Sequence, residues 1–212
     1  MFDKGVRQDS LSLEDVRKRS QILIIDDQEW PLQRQLENDH FHVTRRYEVD
    51  DTDSLTNGSY AIVLLDVHGV GLRHSPDRQG IGILDHIKVS NPAQMVIIYS
   101  ANPQAIKDTL TLAKADAVMD KGSAYLDFRK QIDSLLLRRA TPEHFIAAMN
   151  ATLGSDAASA PKAVPIALKA LRSGNQKALD SYLYKVLRND EVREVTSFVI
   201  SVGIRVLSGS AT

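Results

Sequence analysis

Four apolar runs of this chain end on groups able to do metal or phosphoryl chemistry. Ile22-Leu23-Ile24-Ile25 leads into Asp26-Asp27, Ala61 to Leu65 into Asp66, Met95 to Tyr99 into Ser100, and Ala117-Val118-Met119 reaches Lys121 across one intervening residue. A carboxylate directly after a buried strand can attack phosphorus if a cation offsets the repulsion between two anions. Asp26 and Asp27 are hard oxygen donors of the kind that suit Mg²⁺, which keeps several waters and uses few protein carboxylates. Lys121 can neutralise one phosphoryl oxygen, and the Ser100 hydroxyl and the backbone N–H of Ala101 can donate to another. Taken singly, each residue reads more readily as a helix cap or turn former than as a chemical group. The weight lies in four strand ends carrying compatible groups in sequence order.

These side chains meet only if the runs are parallel strands of one open α/β sheet, which binds ligands at its carboxyl edge. The chain has the required alternation of strands and helices. Strand signals cover Ile22 to Ile25, Phe41 to Val49, Ala61 to Leu65, Met95 to Tyr99 and Ala117 to Met119. Helices are expected after Pro31, near Ile83 to Val89, over Pro103 to Lys114 and over Ala124 to Leu137. Only Asp50 to Ser59 separates the second and third strands, so the helix between them must be very short or absent. Residues 1–19 read as a polar arm with one short helix, capped by Ser12 and carrying Glu14 and Asp15 in its first turn.

The chain has 212 residues, enough for one large domain or for one of about 120 residues plus a smaller unit. Its net charge of -1 gives no support to a globally basic nucleic-acid binder. With no cysteine, disulfides, zinc-thiolate sites and thiol catalysis are excluded. The first twenty residues lack the apolar core of a signal peptide, and the run Val195 to Leu207 is too short to span a membrane. A cytoplasmic protein without a membrane partner is expected.

Residues 140–212 differ in kind. Thr141-Pro142-Glu143 opens a helix, with the hydroxyl at N-cap and proline at N1. Gly154 to Pro161 has linker composition, and three helices are expected near 162–172, 175–188 and 190–207. The last is apolar nearly all round, which implies burial on more than one side, either against the chain itself or in a homodimer. The tail also carries Lys169, Arg172, Lys185, Arg188 and Arg193, but its last helix is too apolar to read base edges, so DNA is disfavoured as a partner.

In order and on successive strands, ILIIDD, LLDV, YSA and DKG resemble the receiver domain of bacterial two-component response regulators. The resemblance covers residues 20–139. It implies a flavodoxin-like (CheY-like) five-stranded parallel sheet with helices on both faces, followed here by an all-α extension. It also implies that Asp66 accepts a phosphoryl group from the phosphohistidine of a histidine kinase or phosphotransfer protein. Mg²⁺ would be held by Asp26, Asp27, Asp66 and the backbone carbonyl of His68, while Ser100, Ala101 N–H and Lys121 contact the phosphoryl group. His68 and Asn102 occupy positions that tune dephosphorylation in the family, and no enzymatic activity is implied beyond self-catalysed phosphorylation and dephosphorylation. The chain departs from the pattern in several places. Gly122 follows Lys121 where proline in a cis peptide is usual, and a non-proline cis bond costs about 2.5–4 kcal/mol, so this loop should differ. Val118 stands where an aromatic switch residue is usual. The glycine-rich loop after Asp66, with His68, Arg73, His74 and Arg78, is longer than usual and reads as a solvated loop, a lid or a docking surface.

Three other functions compete with a phosphorylation-switched signalling protein whose tail is an interaction or dimerisation output. They are a phosphorylation-independent pseudo-receiver scaffold, a DNA-binding transcriptional regulator and a haloacid-dehalogenase-like phosphatase. LLDVHG resembles the first motif of the phosphatases, but His68 replaces their second aspartate and the acidic pair precedes the nucleophile instead of following the lysine.

Overall fold

The structure is a computed structural model and describes residues 12–209. Five parallel strands form one sheet: β1 (Gln21–Ile25), β2 (His42–Arg46), β3 (Ile62–Asp66), β4 (Met95–Ser100) and β5 (Ala117–Asp120), in the order β2-β1-β3-β4-β5. The three central strands are continuous apolar runs because helices cover both faces. Period-two alternation divides them. Ile22, Ile24, Ile62, Leu64, Met95, Ile97 and Tyr99 pack with α1 (Leu13–Arg19), α2 (Gln33–Asn38) and α6 (Tyr125–Arg139). Leu23, Ile25, Val63, Leu65, Val96 and Ile98 pack on the other face with α3 (Asp53–Thr56), α4 (Gln79–Ser90) and Leu112 of α5 (Thr109–Leu112). The expected class, an open doubly wound sheet followed by helices, is what the chain forms.

Local signals act as anticipated in several places. Ser12 Oγ accepts from Asp15 N at 3.2 Å and caps α1; residues 1–11 of the arm lie outside the described residues. The helix squeezed between β2 and β3 has four residues. Strand two is shorter than Phe41 to Val49, because β2 is an edge strand with one neighbour and the chain turns away after Arg46. The helix expected over Pro103 to Lys114 is broken into a 3-10 turn at Pro103–Ala105 and the single turn α5. Asp108 interrupts it by capping α5, its side chain accepting from Thr111 N at 3.0 Å. Helix α4 begins four residues earlier than Ile83, at Gln79.

The tail forms α7 (Pro142–Leu153), a 3-10 segment at Gly154–Ser159, α8 (Ala163–Ser173), α9 (Lys177–Val186) and α10 (Asp190–Leu207). Thr141 precedes α7 but does not cap it through its side chain; its hydroxyl donates to Arg138 O at 2.7 Å, back into the preceding helix. The segment of linker composition forms a 3-10 turn, buries Ala160 and is part of the fold. Phe145, Met149, Ala167, Leu171, Leu179, Leu183, Val199 and Ile200 share a second core. At Gly203 a Cβ would lie 2.7 Å from both Leu171 Cδ2 and Phe145 Cγ, so only glycine permits α10 to cross α7 and α8 this closely. The second core also includes Ala93, just before β4, and Arg205 Nη2 donates to Asn57 O at 3.0 Å, before β3. The tail therefore docks at the amino-terminal edge of the sheet, opposite the strand ends read as the site.

Candidate functional site

Strand parity explains how the site assembles. Asp26 follows β1 in phase with Ile22 and Ile24, and Asp66 closes β3 in phase with Ile62 and Leu64. Both carboxylates therefore lean to the α6 face, where Tyr99 also points. Asp26, Asp27 and Asp66 each offer a carboxylate oxygen within 4.8 Å of the others, the only such group of metal-capable ligands among the described residues. Asp26 and Asp66 are buried and Asp27 is exposed. Lys121 Nζ lies 2.6 Å from Asp66 Oδ2 and 3.0 Å from Asp26 Oδ2. The remaining oxygens are held locally: Asp66 Oδ1 accepts from Val67 N at 2.7 Å and Asp26 Oδ1 from Gln28 N at 2.9 Å.

Burial pushes the Asp66 carboxyl above its ordinary range; the Lys121 ammonium opposes this, and the Asp26 charge adds to it. Burial also works against the charge of Lys121, but its hydrogen bonds to Asp66 and Asp26 outweigh that and hold the ammonium above the ordinary lysine range. The two shifts agree, because one lysine serves two carboxylates and each carboxylate receives only part of one lysine. Like charges about 4 Å apart repel by about 4 kcal/mol at an effective dielectric constant of 20, so the cluster has a strong physical demand for a further cation. Its all-oxygen donor set fits Mg²⁺. Gly69 brings the loop against this cluster: its φ of +79 is left-handed, and a Cβ would fall 2.4 Å from Asp27 Oδ2.

Ser100 is buried at the end of β4, where its Oγ accepts from Asn102 N at 3.2 Å, leaving its proton to donate. Lys121 N donates to Ser100 O at 2.9 Å, which ties the lysine to the serine's strand. Ala101, Asn102 and the His68 side chain are exposed at the same edge. The structure thus brings Asp26, Asp27, Asp66 and Lys121 into one cluster and sets the other named residues on its rim. All described peptide bonds are trans, including Lys121–Gly122. Val118, on the edge strand, is 41% exposed.

Two features were missed by sequence reasoning. Tyr99 donates its hydroxyl to Asp26 Oδ2 at 2.8 Å and stacks among Trp30 and Phe128, with ring centroids 5.5 and 6.3 Å away. Burial, then the Asp26 charge, pushes its phenol far above the ordinary range, so it serves as a neutral donor. Strand parity with Ile97 was the signal that could have found it. The long loop, read as solvated, a lid or a docking surface, is pinned at both sides. Glu48 accepts from Gly71 N and, at 3.2 Å, from Leu72 N; Arg73 pairs with Asp50 at 2.8 Å. At its far end Arg78 bonds Asp85 at 3.1 Å, Asp108 at 2.8 Å and Thr111 Oγ1 at 2.8 Å, joining α4 to α5.

The sheet order is that of a doubly wound, flavodoxin-like α/β domain, with the carboxylate cluster at its carboxyl edge. Solved receiver domains are similar to this part of the chain. One from Methanospirillum hungatei is 20% identical with a TM-score of 0.47, over 57% of this chain and 95% of that one. One from Clostridium thermocellum is 25% identical with a TM-score of 0.46, over 57% and 96%. The response regulator TrrA of Thermotoga maritima, solved in complex with Mg(2+)-BeF, is 19% identical with a TM-score of 0.44, over 55% and 98%. No protein-family model matches the chain, and no curated protein matches it. No helix among the described residues is long and apolar enough to cross a membrane.

Proposed function

We propose that the chain is a response-regulator-like signalling protein that accepts a phosphoryl group on Asp66 from the phosphohistidine of a histidine kinase or phosphotransfer protein. The observation that carries this reading is the convergence of Asp26, Asp27 and Asp66 with Lys121 bridging two of them. Asp26, Asp27, Asp66 and the His68 carbonyl would hold Mg²⁺, whose charge lets an anionic carboxylate approach phosphorus. The Asp66 carboxylate forms the new O–P bond as the donor's P–N bond breaks, and the leaving ring nitrogen takes a proton from solvent. Lys121 is placed to transfer a hydrogen bond from Asp66 to the phosphoryl oxygen, and Ser100 with the Ala101 N–H donates to the others. His68 and Asn102, both exposed at the same edge, would tune release of the phosphoryl group. Beyond this self-catalysed gain and loss of phosphate, the reading includes no further enzymatic activity.

The helical tail serves as a protein-interaction or homodimerisation output. Its position at the amino edge leaves the phosphoryl face open to a kinase. DNA reading is disfavoured because α10 gives Val199, Ile200 and Val202 to the tail's core. Two observations favour a second reading, a phosphorylation-independent scaffold: Val118 supplies no aromatic switch, and Tyr99 is fixed by Asp26. Intact mass after incubation with Mg²⁺ and acetyl phosphate separates the two. A labile gain of about 80 Da in the native chain, absent in Asp66→Asn, supports the phosphoacceptor. An unmodified native chain overturns it in favour of the scaffold.

A further inference from the structure

The seam between the receiver-like domain and the tail holds a cavity of about 70 Å³, lined by Arg19, Arg139 and Arg205 together with Gly58, Leu136 and Val202. Such a volume has room for a group of a few heavy atoms. Arg139 is only 9% exposed, and the one hydrogen bond of its side chain is from Nη2 to Gly58 O at 3.3 Å. Arg205 Nη2 donates to Asn57 O, but Nε of both arginines is buried without a partner. No carboxylate among the described residues pairs with any of the three guanidiniums, whereas Arg17, two residues before Arg19, has Asp133 at 2.5 Å. Arg19 reaches the cavity mouth, where a Cβ on Gly209 would lie 2.5 Å from its Nη1. Burial, then the neighbouring Arg205 charge, pushes the Arg139 guanidinium down to about 10. Arginine nevertheless stays charged in proteins, so the cost is borne as instability.

Helix ends supply part of the counter-charge. Arg19 and Arg139 close α1 and α6, and Arg205 lies in the last turn of α10. Each helix C-terminus carries roughly half a negative charge, which leaves about half of the charge on three guanidiniums unanswered. We propose that this seam is a binding site for a small oxyanion, the phosphate or carboxylate group of a ligand, held by Arg139 and Arg205 inside and Arg19 at the mouth. The bound anion would tie α1 and α6 of the sheet domain to α10 of the tail. It lies at the edge opposite Asp66, so the proposal stands apart from the phosphoacceptor reading.

The test is thermal unfolding of the full chain with EDTA present, in inorganic phosphate or acetate, against sodium chloride of matched ionic strength. At tenfold excess over its dissociation constant, a bound oxyanion raises the midpoint of the native chain by about 3–5 °C. Arg205→Met and Arg139→Met should lose that rise, and Arg19→Gln should keep part of it. If Arg139→Met does not fold, the other two variants decide. A rise from acetate as well as phosphate supports the site and marks it as general for oxyanions; a rise from phosphate alone supports it as a phosphate site. No rise above chloride in the native chain overturns the proposal, as does an equal rise in Arg205→Met, the signature of solute exclusion from the surface.

Discussion

The two edges of one sheet carry opposite charge imbalances. Among the described residues, three carboxylates at the carboxyl edge face Lys121, the one cation bonded to their side chains, and three guanidiniums at the amino edge pair with no carboxylate. A five-residue strand at about 3.3 Å per residue puts them roughly 17 Å apart, with a dry apolar core between. Hydrophobic burial builds the platform, and the groups at its ends are left for ligands to balance. Removing a cation should therefore have opposite effects at the two ends.

Lys121→Met is the largest break of this symmetry. It strips the only side-chain partner that Asp66 Oδ2 has among the described residues, and breaking a buried pair costs about 3–5 kcal/mol. Lys121 is partly exposed, so a loss of about 3 kcal/mol in Mg-free urea unfolding is expected, with Mg²⁺ restoring more stability to the variant than to the native chain. Arg205→Met should raise anion-free stability by about 1 kcal/mol, because an apolar side chain of similar volume replaces a poorly matched charge. Equal losses at both edges would end the comparison.

Tyr99→Phe sharpens the carboxyl-edge half. The ring stays between Trp30 and Phe128, but Asp26 Oδ2 loses its neutral donor while remaining buried. A loss of about 1–3 kcal/mol by urea midpoint is expected, with weaker Mg²⁺ binding read from Trp30 fluorescence. An unchanged midpoint would show that Lys121 alone satisfies Asp26 Oδ2.

The central strands and their terminal carboxylates were legible because both are local: an apolar run states its own burial, and the residue that ends it lies at the sheet edge. Tail helices were legible for a similar reason, since Gly174 and Asn189 mark their ends. Distant partners were not. Glu48 pins a loop some twenty residues later, and Arg78 crosses to Asp108 and so stabilises the cap that splits the expected helix. The arginine seam joins positions 19, 139 and 205, which nothing in local pattern relates. Tyr99 lies between these cases, since its parity was readable but its hydroxyl's partner required the sheet order.

The last prediction tests the amino edge through pH. His144 on α7 packs under β4, and its Nε2 donates to Ala93 O at 2.8 Å, which fixes the tautomer because a carbonyl can only accept. Burial pushes its imidazole below the ordinary value, the Ala93 bond and the Asp116 charge oppose this, and Arg138 and Arg139 reinforce it. The unfolded chain therefore binds a proton more readily than the folded one. Stability contributed by neutral His144 is fully present above about pH 6.5 and declines as pH falls toward the folded value, by at most about 1.4 kcal/mol per pH unit. His144→Gln keeps a donor for Ala93 O and removes the titration. Its urea midpoint should follow the native chain at pH 8 and fall less steeply toward pH 5, while the five remaining histidines, common to both chains, cancel in the difference. Parallel curves would mean that the docked tail opens freely enough to protonate this histidine at no cost, and the seam would then not be rigid enough to hold its arginines around an anion.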